Sequence, residues 1–272
     1  MKISILCDNQ PLNNQFACEH GLSIYVEING KHLLFDTGQS DCFIENAATL
    51  GINLALTDMV VLSHGHYDHT GGLNRLMARY PHLKIAMHPS ATKQRFSTSS
   101  AMTKENGFPH TTLLSQWRDN ITWIADDQEL LPGIMLFQLP HDAPANARLV
   151  EYDCTGKLIP DTFADELFIV LHEGNAQVLL SGCTHHGIAN VLKHCSTKFS
   201  ISAFDLVLGG LHLSGADAKA IQNQINQCRA FQVKKYALNH CTGQPAYDMW
   251  QEAHPNQVIT AKAGETITIT SS

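Results

Sequence analysis

Short apolar runs rich in Val, Ile and Leu alternate along the chain with stretches of helical spacing. The runs predict strands over 3–7, 22–28, 31–36, 57–63, 83–88, 120–124, 133–138, 166–172, 176–181, 204–209, 234–239, 258–261 and 264–270. The helical spacing predicts helices over 41–50, 71–80, 186–195, 214–231 and 245–254. Mixed order of this kind argues for an α/β protein with sheets covered by helices. The last run, Glu265 to Thr270, alternates with period two, as a half-buried strand does. Segment 89–118 has little periodicity and is rich in Ser, Thr, Lys and Asn, so it reads as a long surface excursion or lid. No linker-like composition interrupts the chain, and a single domain over 1–272 is expected.

Residues 22–38 and 167–183 share one plan: strand, tight turn, strand, small-residue loop, helix. The turns are Asn29-Gly30 and Gly174-Asn175, both suited to two-residue hairpins. Each unit is followed by a further strand, 57–63 or 204–209. The halves therefore read as structural duplicates packed sheet against sheet. A hairpin starts and ends at one edge of its sheet. Duplicated halves would gather Glu19-His20, Asp36-Thr37-Gly38, His64, Asp165-Glu166, Ser181-Gly182-Cys183 and His212 at one rim.

Composition narrows the function. A 272-residue chain with 44% hydrophobic content can build a sizeable core, which excludes bulk disorder. Eighteen Lys and Arg against 25 Asp and Glu give a net charge of −7, so nothing draws the chain to nucleic acid or anionic membranes. No apolar run approaches the roughly 20 residues of a membrane span. The apolar stretch before Asp8 is too short for a secretory signal. Eight cysteines without a CxxC pair leave zinc ribbons and thioredoxin motifs unsupported. Mostly free thiols and a cytoplasmic location are expected. Histidine is the unusual count, at 16.

Ser63-His64-Gly65-His66-Tyr67-Asp68-His69-Thr70-Gly71-Gly72 places four ligand-type side chains within six positions after an apolar strand. In extended chain His64 and His66 point the same way. Asp68 and His69 can be turned toward a second point, with Gly65, Gly71 and Gly72 read as permitting tight turns. Imidazole with carboxylate suits zinc, iron or manganese. Two ligand pairs on one loop suit two cations about 3.5–4 Å apart. A closed structural zinc site would be richer in cysteine.

This HxHxDH pattern resembles the hallmark of the metallo-β-lactamase superfamily. Glu19-His20-Gly21-Leu22-Ser23, Asp36-Thr37-Gly38-Gln39-Ser40, Ser181-Gly182-Cys183-Thr184-His185, Gly209-Gly210-Leu211-His212-Leu213 and His240-Cys241-Thr242-Gly243 extend the resemblance. They are similar to one branch, usually named after 7,8-dihydropterin-6-methyl-4-(β-D-ribofuranosyl)aminobenzene-5′-phosphate synthase. The resemblance implies a four-layer αβ/βα sandwich with a dinuclear site at the shared rim. It implies His64 and His66 on the first metal, Asp68 and His69 on the second, and His240 as the second metal's last ligand. Cys183 stands where the superfamily usually has a bridging Asp. The usual mid-chain histidine has no direct match. His185 is the preferred stand-in and His141 the other. Zinc is the expected ion, with manganese or iron as alternatives.

Asp36-Thr37-Gly38 also matches the aspartic-protease triplet, but such a protease needs two. Asp36 is therefore read as bonding the metal loop's backbone or a ligand imidazole, with a helix N-cap as the plainer reading. His20 and His212 are candidates for orienting substrate or donating a proton, against ordinary loop polarity. His186 reads as a surface residue of a first helical turn. Gly209-Gly210 resembles a close-approach site for a ligand phosphate. The expected activity is metal-dependent hydrolysis of an ester, phosphoester or lactam-like small molecule, with Asp68 orienting the attacking water. A pterin-type synthase or phosphate-handling transferase is the alternative. A non-catalytic metal-bound sensor is a third reading, prompted by Cys183. A flavin-linked iron redox site is disfavoured, because that related group has Glu where this chain has His66.

Overall fold

The computed structural model describes residues 1–99, 102–140 and 148–270. Two seven-stranded sheets carry the fold. The first runs in the order Thr266–Thr268, Lys2–Cys7, Ser23–Ile28, Lys31–Phe35, Met59–Val61, Ile85–Met87, Ile121–Trp123. The second runs Gln128–Leu131, Ile134–Gln138, Leu167–Glu173, Ala176–Leu180, Leu206–Gly209, Tyr236–Leu238, Val258–Thr260. In each sheet the first three pairings are antiparallel and the last three parallel. The duplication read from two hairpins thus extends to whole sheets. Asn29 at φ 49° and Gly30 at φ 70° make the first hairpin turn, and Gly174 at φ 59° opens the second.

Side-chain alternation sorts the core into layers. Ile24, Val26, Leu33 and Phe35 from the first sheet meet Ile169, Leu171, Val178 and Leu180 from the second in one buried cluster. The intervening Tyr25 and Leu34 face the helices Cys42–Thr49 and Leu73–Arg79. Phe168, Val170 and Leu179 face Ile188–Lys198, Ala218–Cys228 and Gln244–Ala253. Each fully buried aliphatic or aromatic side chain contributes about 1.5–3 kcal/mol, so a one-residue slip of a strand would cost its whole inner face. The result is the expected four-layer sandwich. Among the described residues no helix is long and apolar enough to cross a membrane.

Segment 89–118, apart from residues 100 and 101, is less open than its composition suggests. Arg95–Thr98 and Thr103–Glu105 join Leu149–Tyr152 and Leu158–Pro160 in a four-stranded sheet. Arg95, Phe108, His110 and Trp117 are buried. The His110 ring bonds the Thr70 and Gly71 carbonyls at 3.1 and 2.9 Å, tying this segment to the histidine-rich loop.

Candidate metal centre

The two hairpins and the strand ends after them deliver their polar residues to one rim. Leu167 N–H donates to the Ser63 carbonyl at 2.7 Å, stitching the halves together beside the motif. His66 is extended and precedes the one-turn helix Tyr67–Thr70 that carries Asp68 and His69. The three motif glycines do not serve as expected. None has positive φ. They permit close approach instead: a Cβ at Gly65 would lie 1.9 Å from the Ala91 carbonyl oxygen, and one at Gly72 would lie 2.2 Å from that of Ser40. Backbone strain does gather here, at Asp36, Thr184, His212 and His240, all non-glycine residues with φ between 48° and 61°.

The ligand-type atoms converge in overlapping groups, two of which bring motif histidines to Cys183. His64 Nε2 lies 3.0 Å from His66 Nδ1, and His64, Cys183 and His185 bring their donors within 4.8 Å of one another. On the other side His69 Nε2 lies 3.2 Å from Cys183 Sγ, and His240 Nε2 lies 3.3 Å from Asp68 Oδ2. His69, Cys183 and His240 form the second group. Cys183 belongs to both. Tetrahedral zinc, with bonds of about 2.0–2.3 Å, spaces its donors roughly 3.3–3.8 Å apart; the His240–Asp68 pair meets that spacing and the His69–Cys183 and His64–His66 pairs, at 3.2 and 3.0 Å, are slightly tighter. His185 stacks on Phe163 at 3.9 Å, and its buried Nε2, in the first group, has no hydrogen-bond partner. Buried polar atoms normally find one, so the donor set fits cations. His141 lies outside the described residues.

Three imidazoles are held through Nδ1 so that Nε2 faces the centre. His64 Nδ1 meets Ser63 Oγ at 2.9 Å, His69 Nδ1 meets Asp36 Oδ2 at 2.7 Å, and His240 Nδ1 meets Asn9 Oδ1 at 2.9 Å. Such partners fix tautomer and orientation in metal sites. Asp36 combines both roles expected of it, since its other oxygen accepts Ser63 N–H at 2.7 Å. Asp36→Asn would place a donor against His69 Nδ1. The imidazole proton would then move to Nε2, the atom facing the centre. Zinc affinity is expected to fall about 10–100-fold with the fold intact, as read by competition with a chromophoric chelator. Unchanged affinity would remove Asp36 from this role.

Three further buried carboxylates grip ligand-bearing backbone. Asp165 accepts Gly65 N–H, Glu166 accepts His185 N–H and Asp8 accepts His240 N–H, each at 2.7 Å. Asp8 and the binding role of Asp165 and Glu166 were not legible in the sequence. Their one signal is a carboxylate abutting an apolar strand. Glu166 also bonds His186 Nδ1 at 2.7 Å, so His186 is a buried, carboxylate-held residue and not a surface one. Gly209 and Gly210 make no opening for a ligand: Cβ atoms there would meet Ser181 O at 2.3 Å and Cys241 Sγ at 2.4 Å.

Electrostatics follow from burial and these partners. Burial pushes His64 and His185 well below the usual imidazole range and His66 down to about 3, favouring the neutral, ligand-competent form. Burial acts on His69 the same way, but the Asp36 and Asp68 carboxylates outweigh it and raise His69 to about 9. Burial opposes ionisation of Asp68, yet His69, His20 and His240 together hold it well below the carboxylate range. His20, exposed at the mouth, meets Asp68 Oδ2 at 3.1 Å. His212 is half-buried opposite, its ring 4.2 Å from that of His185, with Nδ1 unpartnered.

The sheets and the rim together define a metallo-β-lactamase fold. The family model for the metallo-beta-lactamase superfamily matches residues 17–153, half of the chain, and the chain belongs to that superfamily. It is 30% identical to 7,8-dihydropterin-6-methyl-4-(beta-D-ribofuranosyl)-aminobenzene-5′-phosphate synthase of Methanocaldococcus jannaschii, over 94% of this chain and 92% of that protein. The crystal structure of Tm1679, described as a metal-dependent hydrolase of the beta-lactamase superfamily, superposes with a TM-score of 0.83 at 28% identity over 99% of both chains. Human tRNase Z, short form, shares the fold alone, with a TM-score of 0.57 at 13% identity over 99% of this chain and 100% of that one.

Proposed function

We propose that the protein is a metal-dependent hydrolase of a small molecule, working at a two-cation centre. The observation that carries this reading is the pair of donor groups sharing Cys183. His64, His66 and His185 would hold the first ion, and Asp68, His69 and His240 the second, with Cys183 common to both. Zinc is favoured over manganese or iron because a thiolate is a soft donor. Bound divalent cations would lower the pKa of a water toward neutrality and polarise the oxygen of an ester, phosphoester or lactam. Asp68 would orient the attacking water while holding an ion. His20, held against Asp68 at the open mouth, would supply a proton to the leaving group. His212 would orient substrate from the opposite side. Free thiols at all eight cysteines fit a cytoplasmic setting.

The test is to strip the purified protein with a chelator and reload it with Zn²⁺, Mn²⁺ or Fe²⁺. Bound metal is counted, and phosphodiesters, esters and lactams are assayed. The expected result is up to two ions per chain and activity that returns with metal. A chain that retains no ion, or an activity indifferent to chelation, overturns it.

A second reading, a pterin-type synthase or other phosphate-handling transferase on the same centre, is favoured by the near full-length match to the archaeal synthase. It requires a pterin and a phosphoribosyl acceptor to bind together. No change in melting temperature with either compound would count against it.

A further inference from the structure

Cys241 follows His240 and takes no part in the donor set above. It is buried, and its Sγ lies within 4.8 Å of Cys183 Sγ and of a His212 ring nitrogen. The Cys241 thiol points at the Cys183 carbonyl at 3.6 Å, and its sulfur accepts the His212 N–H at 3.2 Å. The two cysteines follow strands Ala176–Leu180 and Tyr236–Leu238, which are separated in the sheet by Leu206–Gly209. What lets them meet is Gly210, at the end of that middle strand. It bonds the Gly182 carbonyl at 2.8 Å, and a side chain there would occupy the place of Cys241 Sγ.

We propose that Cys183 and Cys241 form a reversible disulfide that takes Cys183 out of the metal centre, so that metal loading is gated by thiol oxidation. The gating rests on the reading of Cys183 as the shared ligand. The thiolate, not an oxidised sulfur, binds a cation, and one sulfur cannot serve both partners. The sulfurs would close to about 2.05 Å. A hydroperoxide from solution is the oxidant. One sulfur of the pair attacks a peroxide oxygen, the O–O bond breaks, and water or an alcohol leaves, giving a sulfenic acid. The other sulfur then displaces the hydroxyl group, its thiol proton leaves with that group as water, and the S–S bond forms. Two thiols lose two electrons and the peroxide gains them. A dithiol reductant reverses the bond by exchange.

The experiment uses the full chain, freed of metal and reductant, treated with a small excess of hydrogen peroxide and mapped by mass spectrometry. A loss of two hydrogens is expected, located to a peptide joining residues 183 and 241, with zinc uptake blocked until dithiothreitol restores it. In Cys241→Ala and in Cys183→Ala the cross-link is absent, and the variant that keeps the attacking cysteine accumulates it as a dimedone-reactive sulfenic acid. The other buried thiol pair, Cys7 and Cys42, serves as an internal comparison. Cross-linking there alone, or sulfinic acid at Cys183 of the unaltered chain without a 183–241 bond, overturns the proposal. A 183–241 bond with undiminished zinc uptake overturns the gating while leaving the metal centre standing. A reduced chain that takes up no zinc at all overturns the metal centre and the gating together, although the cross-link is still read independently by mass.

Discussion

A His66→Ala, Asp68→Ala double variant is expected to lose turnover by at least about a thousandfold, the scale on which a preorganised electrostatic group acts. Each substitution would remove one donor from one of the two proposed ion groups. The loss should not come from unfolding. Both side chains sit at the rim, and neither belongs to an apolar layer of the sandwich. Asp68 is nonetheless paired with His20, His69 and His240, so the metal-free variant should stay folded but melt below the metal-free parent. The difference widens with zinc. An ion present at a thousand times its dissociation constant adds about 4 kcal/mol to stability, and the variant should forfeit most of that gain. Parallel melting curves with and without zinc, beside metal counts and kcat/KM, separate the effects. Full activity in the double variant would sink the hydrolase reading.

The main sandwich strands were legible because their signal is local. Leu33-Leu34-Phe35 is apolar on both faces because one face meets the other sheet and the other meets helices. Thr103–Glu105 is exposed along its length and carries no apolar residue, so no periodicity could reveal it. The histidine cluster was equally plain, since six positions hold four ligand-type side chains. What supports it was hidden by sequence distance. Asp8 and His240 lie 232 positions apart, and Gly65 and Asp165 lie 100 apart. Gly65 shows how a correct residue can carry a wrong reason. The missing side chain suggests turn freedom, whereas the fold uses it to seat the loop against the Ala91 carbonyl and Arg95.

Arg95 was invisible for the same reason, and its replacement should cost the most stability. It is 1% exposed. Nε donates to Asp161 at 2.8 Å and Nη2 to Asp165 at 2.7 Å, and Asp165 in turn holds Gly65 N–H. Arg95→Met keeps the apolar stem and removes the charge, leaving two buried carboxylates without a cation. Breaking a buried pair from one side costs about 3–5 kcal/mol, and in a chain of this size that lowers the melting temperature by roughly 10 °C. Arg95→Lys should recover little, because a single ammonium cannot reach both carboxylates as the forked guanidinium does. Burial already pushes Asp161 up to about 6 against the pull of Arg95. A folded-state value above the unfolded one means ionisation costs stability, a penalty absent well below pH 4 and complete above pH 6. The gap between parent and variant should therefore narrow as pH falls from 7 to 5, when Asp161 in the variant takes up a proton. Adding Asp161→Asn and Asp165→Asn to Arg95→Met removes the uncompensated charges while leaving oxygens for Phe163 N–H and Gly65 N–H, and should restore more than half of the loss. If Arg95→Met alone melts with the parent, the motif loop is held by something other than this buried cation. If it melts early but the triple variant recovers nothing, packing of the long side chain, and not its charge, is what the loop depends on.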